Sequence, residues 1–239
     1  MTTRLNALGQ PIGEPLDDWR PPPRPSAELL DGDLVRLERL DPGRHARALH
    51  DANRLDVEGR NWTYLPIGPF AAFDDYDCWL RSVAAGADPY FFAVVDRATG
   101  EPVGVATCAS TRLPGRSVSH INFSPRAQRT ALASEAMFLM MRHAFALGYR
   151  RYEWKCDALN QPSRVAAARL GTFEGVFRRA TIYKGRNRDT AWYSILDHEF
   201  PTLERAFTAW LGPGNRDAAG RQRSSAGSAT PLIAEARRG

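Results

Sequence analysis

Lysine is almost missing from this chain: of 32 basic residues only Lys155 and Lys184 are lysines. Such a skew toward arginine fits a GC-rich genome and carries no chemistry by itself. Cysteine is nearly as scarce. Cys78, Cys108 and Cys156 are odd in number and far apart, which excludes a disulfide framework, argues against a zinc site, and fits a reducing, cytoplasmic compartment. The five histidines are scattered, and His45 and His50 are five apart and do not share a helix face, so no metal site is expected. No apolar run approaches the roughly 20 residues that a bilayer demands, so no membrane association is expected. Met1 to Asn6 has a basic residue with no apolar run behind it, which speaks against a secretory leader. There is no internal repeat.

What remains is ordinary globular material. The 239 residues are 43% hydrophobic and 25% charged, enough for one domain with a large core. The net charge of +5 is concentrated at the end. From Leu211 onward Arg216, Arg221, Arg223, Arg237 and Arg238 face only Asp217 and Glu235, a surplus of +3 that leaves +2 for the body. A near-neutral body with a basic Gly, Ser and Ala tail makes a weak case for nucleic acid. The organisation expected is an extended Pro-rich arm (1–30), a single domain (31–211), and a basic, disordered tail (212–239).

Along the domain, Leu34–Leu40 reads as a strand, and Asp41-Pro42 opens a helix. Asn61–Phe70 is an aromatic-rich loop, and Phe73–Ala85 a second helix. Tyr90–Val95, Val103–Thr107 and Val118–Phe123 form an antiparallel meander. Thr130–Leu147 is the strongest helix, with a broad apolar face and Gly148 to stop it. Phe173–Thr181 and Thr190–Leu196 are closing strands, and Phe200–Trp210 a last helix. Exposed strand edges would suit a homodimer.

The segment Arg151–Arg169 organises the rest. Tyr152, Trp154 and Cys156 alternate with Arg151, Glu153, Lys155 and Asp157, the period of a strand with two distinct faces. Asn160-Gln161-Pro162-Ser163 then caps a helix that Gly171 is placed to end. Open α/β sheets bind ligands at such strand-to-helix turns. A second turn, Ser124–Ala133, leads into the long helix, whose first amides lack partners and favour an anion such as a pyrophosphate, with Arg126 or Arg129 adding charge. Each segment taken alone could equally be a plain connection.

The ordered set of meander, Q-x-x-A-x-A (Gln128–Ala133), long helix, strand, D-x-x-N-x-x-S (Asp157–Ser163), helix and R-L-G (Arg169–Gly171) resembles the GNAT N-acyltransferases over about residues 30–197. The closing segment Gly185–Ile195 and the arm N-A-L-G-Q-P-I-G (Asn6–Gly13) are similar to the RimJ/RimL-like branch. The resemblance implies an α/β fold with a mixed, mostly antiparallel central sheet, helices on both faces, and a splayed strand pair forming the acyl-CoA cleft. It implies acetyl-CoA as acyl donor and a primary amine of a small molecule, peptide or protein N-terminus as acceptor. Gln128, Arg129, Thr130, Ala131, Leu132 and Ala133 then fall on the acyl-CoA loop. Asn122 and Phe123 flank the pantetheine, Asn160 bonds the CoA arm, and Ser163 protonates the departing thiolate. Arg164 is left between a phosphate contact and a solvated helix charge.

Two departures stand out. Ala131 replaces an expected glycine, and the third meander strand lacks the glutamate that serves many relatives as base. His120 and Asp189 are the replacement candidates, each with a structural alternative: a buried histidine, and a salt bridge to Arg186 or Arg188. Trp62, Tyr64, Trp154 and Tyr183 either line an acceptor pocket or belong to the core. The missing carboxylate also leaves open a non-catalytic acyl-CoA sensor, and the arginine tail a ribosome- or nucleic-acid-associated protein.

Overall fold

The computed structural model describes residues 4–110, 116–215, 217 and 223. The arm starts with a tight hairpin of β1 (Arg4–Leu5) and β2 (Pro11–Ile12). The Asn6 carboxamide closes its turn by accepting the amides of Leu8 and Gln10. Further on, the arm lies against the body. Tyr149 donates its hydroxyl to the Pro23 carbonyl and Tyr90 to that of Ala27. The arm then enters the main sheet as β3 (Leu29–Asp31).

From there the elements run β4 (Val35–Arg39), α1 (Pro42–Asn53), a 3-10 turn at Arg60–Trp62, α2 (Phe73–Ala84), β5 (Tyr90–Asp96), β6 (Pro102–Ser110) and β7 (Arg116–Phe123). They continue with α3 (Ala131–Ala146), β8 (Arg151–Asp157), α4 (Gln161–Leu170), β9 (Thr172–Tyr183), β10 (Arg186–Leu196) and α5 (Phe200–Leu211). The eight-stranded sheet has the order β3-β4-β5-β6-β7-β8-β10-β9. Every neighbouring pair is antiparallel except β7 and β8. This is the mixed α/β sheet expected, with helices on both faces.

Two cores sandwich the sheet. On one face Phe92, Val94, Tyr152, Trp154 and Cys156 meet α3 and α5 through Phe138, Met140, Met141, Phe207 and Trp210. On the other, Phe91, Ala93 and Val105 meet α1 and α2 through Leu49, Tyr76 and Leu80, with Trp62 closing the edge. Each large apolar side chain buried this way contributes about 1.5–3 kcal/mol. The alternation within β5 and β8 therefore decides which residues go to which layer.

Gly171 ends α4 as expected, with extended backbone (φ −131°) and its amide donating to the Ala167 carbonyl. It is small because a Cβ there would lie 2.7 Å from the Ser194 carbonyl oxygen, where α4 gives way directly to β9. The closing strands are longer than expected. They form one hairpin about Lys184-Gly185, both residues at positive φ, the geometry that two-residue turns between twisted strands require. The tail reading for 212–239 falls largely outside the described residues.

Glu135 ties the first strands to α3. It sits in the first turns of that helix, is buried, and accepts the backbone amides of Asp33, Leu34 and Val35 at 2.7–2.9 Å. Gly32 permits the approach, since a Cβ there would sit 2.8 Å from the Glu135 carboxyl carbon. Replacing Glu135 with Ala strands these donors and opens a hole. We expect Glu135→Ala to cost about 3 kcal/mol, in the range for a buried charge-assisted network, read as a lower urea midpoint at unchanged slope.

Candidate active site

Among the described residues, the parallel pair β7–β8 is the one that parts along its length. Its pairing covers Arg116 with Tyr152, Ser117 with Glu153 and Val118 with Trp154, and no pair follows. Meanwhile β7 stays bonded to β6 as far as Phe123, and β8 to β10 as far as Asp157. The residues Ser119–Phe123 and Lys155–Asp157 thus border a wedge inside the sheet. A bulge helps to open it: between Val105 and Thr107 on β6, β7 fits in both His120 and Ile121, and His120 has φ 55°. Such a bulge bends its strand and increases its twist.

Both strands of the wedge run into helix N-termini. On the β7 side Ser124 accepts the amides of Ala127 and Gln128, Arg129 adopts φ 60°, and Thr130 caps α3 by accepting the Leu132 amide at 3.2 Å. The remaining first-turn amides of α3, at Ala131 and Ala133, are left for an anion. Ala127 is buried and anchors the turn. Gln128 has a role the sequence did not disclose. Its amide donates to the Phe123 carbonyl at 2.8 Å and to the Asn61 side chain, which itself reaches Phe123. It fastens the aromatic-rich loop to the end of β7. Asn122 is buried on β7, while the Phe123 ring lies across Gly104, where a Cβ would be 2.8 Å from it.

On the β8 side Asn160 caps α4 by accepting the Ser163 amide at 3.2 Å. The Ser163 oxygen accepts the Trp154 indole N–H at 3.0 Å. An indole N–H can only donate, so this contact fixes the oxygen and turns the hydroxyl proton away from Trp154. Cys156 lies beside it; burial pushes its thiol pKa up, and the Ser163 hydroxyl pulls it the other way. Arg164 donates to the Ala158 carbonyl at 3.2 Å and lies 3.5 Å from the Tyr193 hydroxyl. It braces the turn ahead of Asn160.

The two base candidates separate. Asp189 accepts the Arg179 amide at 2.7 Å and the Asn187 carboxamide at 3.0 Å, which hold its pKa below the usual carboxylate range. It secures an irregularity in the β9–β10 ladder, where Arg179 has φ 51°, and makes no ion pair with Arg186 or Arg188. Its geometry is that of a structural carboxylate. His120 lies at the wedge, 6.0 Å ring to ring from Phe91, with Nδ1 buried and unpartnered. Burial, then the charges of Lys155 and Arg188, lowers its pKa, so the neutral imidazole is favoured.

The face of the sheet that carries His120 also carries Asp157, which opens the D-x-x-N-x-x-S motif, and Tyr183, one of the acceptor-pocket candidates. Asp157 is buried, with one oxygen accepting the Leu159 amide at 2.8 Å and the other the Tyr183 hydroxyl at 2.7 Å. Burial first, then Asp157, pushes the Tyr183 pKa up to about 12. Next to Tyr183, the hairpin tip crosses to the loop behind α1. Lys184 donates to the Trp62 carbonyl at 2.8 Å and Arg186 to that of Thr63 at 3.0 Å. Trp62 itself belongs to the core, stacked edge-on against Phe70 and Trp79. The site therefore has two sides: Trp154, Cys156 and Ser163 on the α3 and α4 face, and His120, Lys155, Asp157 and Tyr183 on the α1 and α2 face. Among the described residues no group of three His, Cys, Asp or Glu could hold a metal ion, and no helix is long and apolar enough to cross a membrane.

Residues 35–172 match the family model described as Acetyltransferase (GNAT) domain. Among solved structures, a GCN5-related N-acetyltransferase from Brucella melitensis is 39% identical, with TM-score 0.87 over 90% of this chain and 100% of that one. A GNAT-family protein from Chromobacterium violaceum is 36% identical, with TM-score 0.74 over 80% and 98%. At 19% identity, a Salmonella typhimurium acetyl transferase that modifies the N-terminal serine of ribosomal protein L7/L12 shares the fold, with TM-score 0.60 over 71% and 99%. No curated protein matches the chain. A wedge between parallel strands, facing helix amides and a hydroxyl at its lip belong together with these likenesses: the chain is a member of the GNAT acetyltransferase family, whose acyl donor is acetyl-CoA.

Proposed function

We propose that this protein acetylates a primary amine that enters from the α1 and α2 face while acetyl-CoA occupies the wedge. The parting of β7 from β8 carries this reading. It leaves strand-edge amides and carbonyls without sheet partners, and the free amides of α3 stand at one end of it. Acetyl-CoA supplies the activated acetyl group as a thioester. The Ala131 and Ala133 amides and the helix dipole favour its pyrophosphate, and the Asn122–Phe123 edge borders its extended arm.

The residues then divide the proton work. His120, held neutral, takes the proton lost by the amine as the new C–N bond forms. Ser163 gives its proton to the departing sulfur as the C–S bond breaks, with its oxygen steadied by Trp154. Asn160 positions Ser163 through the cap of α4. Much of the acceleration comes from holding both substrates in contact, so the absence of a glutamate slows the reaction without preventing it. Placement in the RimJ/RimL-like branch is supported by the Gly185–Ile195 segment, which builds the hairpin over the acceptor side. A homodimer is supported by β9, an edge strand that exposes Phe173, Val176, Phe177 and Ile182. A cytoplasmic location is supported by three cysteines that form no disulfide.

Three outcomes test this. Acetyl-CoA at about a hundred times its Kd should add roughly 2.7 kcal/mol of stability, a rise of about 5–10 °C in Tm for a chain of this size; an unchanged Tm refutes the reading. In a thiol-release assay Ser163→Ala should lower kcat about a hundredfold. Trp154→Phe should lower it about tenfold, with acetyl-CoA KM unchanged in both. For pH the sign follows from His120. Its neutral form is the base and its pKa is depressed in the unliganded protein, so kcat/KM should hold down to a pH below the ordinary imidazole value of about 6.5 and fall as pH drops further. Lys155→Met removes one of the charges responsible, so the falling limb should move up toward that value. A limb that stays in place would separate His120 from the reaction.

A further inference from the structure

The acceptor side is strongly positive and its cations lack counter-charges. Lys155 stands opposite Trp192 in the β8–β10 ladder, with Nζ 5.4 Å from the indole centroid. Arg188, two residues before Thr190 on the same strand, keeps to the same face, 5.7 Å from the Tyr183 ring centroid. Its Nε is buried without an acceptor. Among the described residues neither cation makes an ion pair. The stretch 110–119, from the end of β6 to the bulge on β7, has no acidic residue in its sequence to offer them.

The other charges here are already committed. Both Asp157 oxygens are taken by the Leu159 amide and the Tyr183 hydroxyl, and Lys184 and Arg186 are tied to the Trp62 and Thr63 carbonyls. Half-buried like charges with no partner are costly, a cost that Arg151 avoids by meeting Glu153 and Glu174 and Arg97 by meeting Asp31, though Arg169 on α4 also has a buried Nε without an acceptor. That both lysines of the chain lie at this mouth sharpens the contrast. A bound anion would remove the imbalance through charge-assisted hydrogen bonds, the strongest that a guanidinium makes.

We propose that the acceptor amine carries a carboxylate, bound by Arg188 and Lys155 while the amine faces His120. This rests on the acetyltransferase reading above and names the substrate class for it. Two sources share the chemistry: the α-carboxylate of a free amino acid, and an acidic side chain next to a peptide's N-terminus. The same arrangement disfavours polyamines and other cationic acceptors.

The test compares matched acceptors in the thiol-release assay on the full chain: phenylalanine against phenylalaninamide, and the dipeptide amide Ala-Glu-NH2 against Ala-Gln-NH2. In at least one pair the carboxylate member should lead by about tenfold or more in kcat/KM, the advantage of one good ionic contact; which pair shows it identifies the source. Arg188→Gln and Lys155→Met should each narrow that lead mainly through acceptor KM, with acetyl-CoA KM unchanged, while Arg188→Lys retains most of it. Equal members in both pairs overturn the proposal, as does a failure to acetylate either carboxylate. Failure of the underlying reading would look different, since acetyl-CoA would then leave the Tm where it was.

Discussion

Two strands of one sheet that separate before they end impose the constraint on which everything else here depends. Backbone amides and carbonyls inside a protein are almost always paired, and an unpaired buried group costs about 1–3 kcal/mol. At Val118 and Trp154 the ladder between β7 and β8 stops while each strand continues along its other neighbour. The facing edges are held apart by the rest of the sheet and cannot satisfy each other. Gln128 and Asn61 reach the Phe123 carbonyl; water or an extended ligand with its own amides can complete the rest, so a preference for such a ligand is built into the strand pairing.

Devices around the wedge keep it open. The bulge at His120 and Ile121 takes up one extra residue against β6 and turns β7 away. Gln128 then bonds the Phe123 carbonyl and the Asn61 side chain, so the end of β7 is tied to the loop behind α1 instead of to β8. Across the gap, Arg164 holds the Ala158 carbonyl and Asn160 caps α4. Ala131, where the family has glycine, stands at the start of α3, where the exposed amides count for more than the side chain. Sites built on strands and helix ends in this way hold their geometry better than sites on free loops.

Much of this was legible in the chain because it is local. The period-two alternation of Arg151–Asp157 assigned Trp154 and Cys156 to one face and Lys155 and Asp157 to the other; Tyr152, Trp154 and Cys156 do enter one core together, while Glu153 and Asp157 are buried on the opposite face. The caps at Asp41 and Asn160 follow from side-chain chemistry within three residues. What could not be read depends on pairing between distant segments. Nothing in V-S-H-I-N-F announces a bulge, because an extra residue is extra only against a partner strand. Glu135 looks like a solvated helix charge until the turn before β4 is laid against it. Lys184-Gly185 did carry a turn signal, but the polar strands around it hide the period that would have made it a hairpin.

The same distinction explains why the proton chemistry resisted sequence reasoning. Asp189, before the last strand, and His120, on the third meander strand, both stood as replacement bases, and the fold sends them to opposite uses. Asp189 receives two hydrogen bonds that stabilise its charge, which makes it a poorer base and a better clasp. His120 meets burial and two cations that destabilise its charge. The cations that keep the imbalance alive are left without carboxylates of their own, so the feature that keeps His120 neutral also creates a vacancy for an anion. A family member that has lost its glutamate can compensate in this way: a substrate that brings a negative charge to Arg188 and Lys155 raises the basicity of the neighbouring imidazole at the moment it binds.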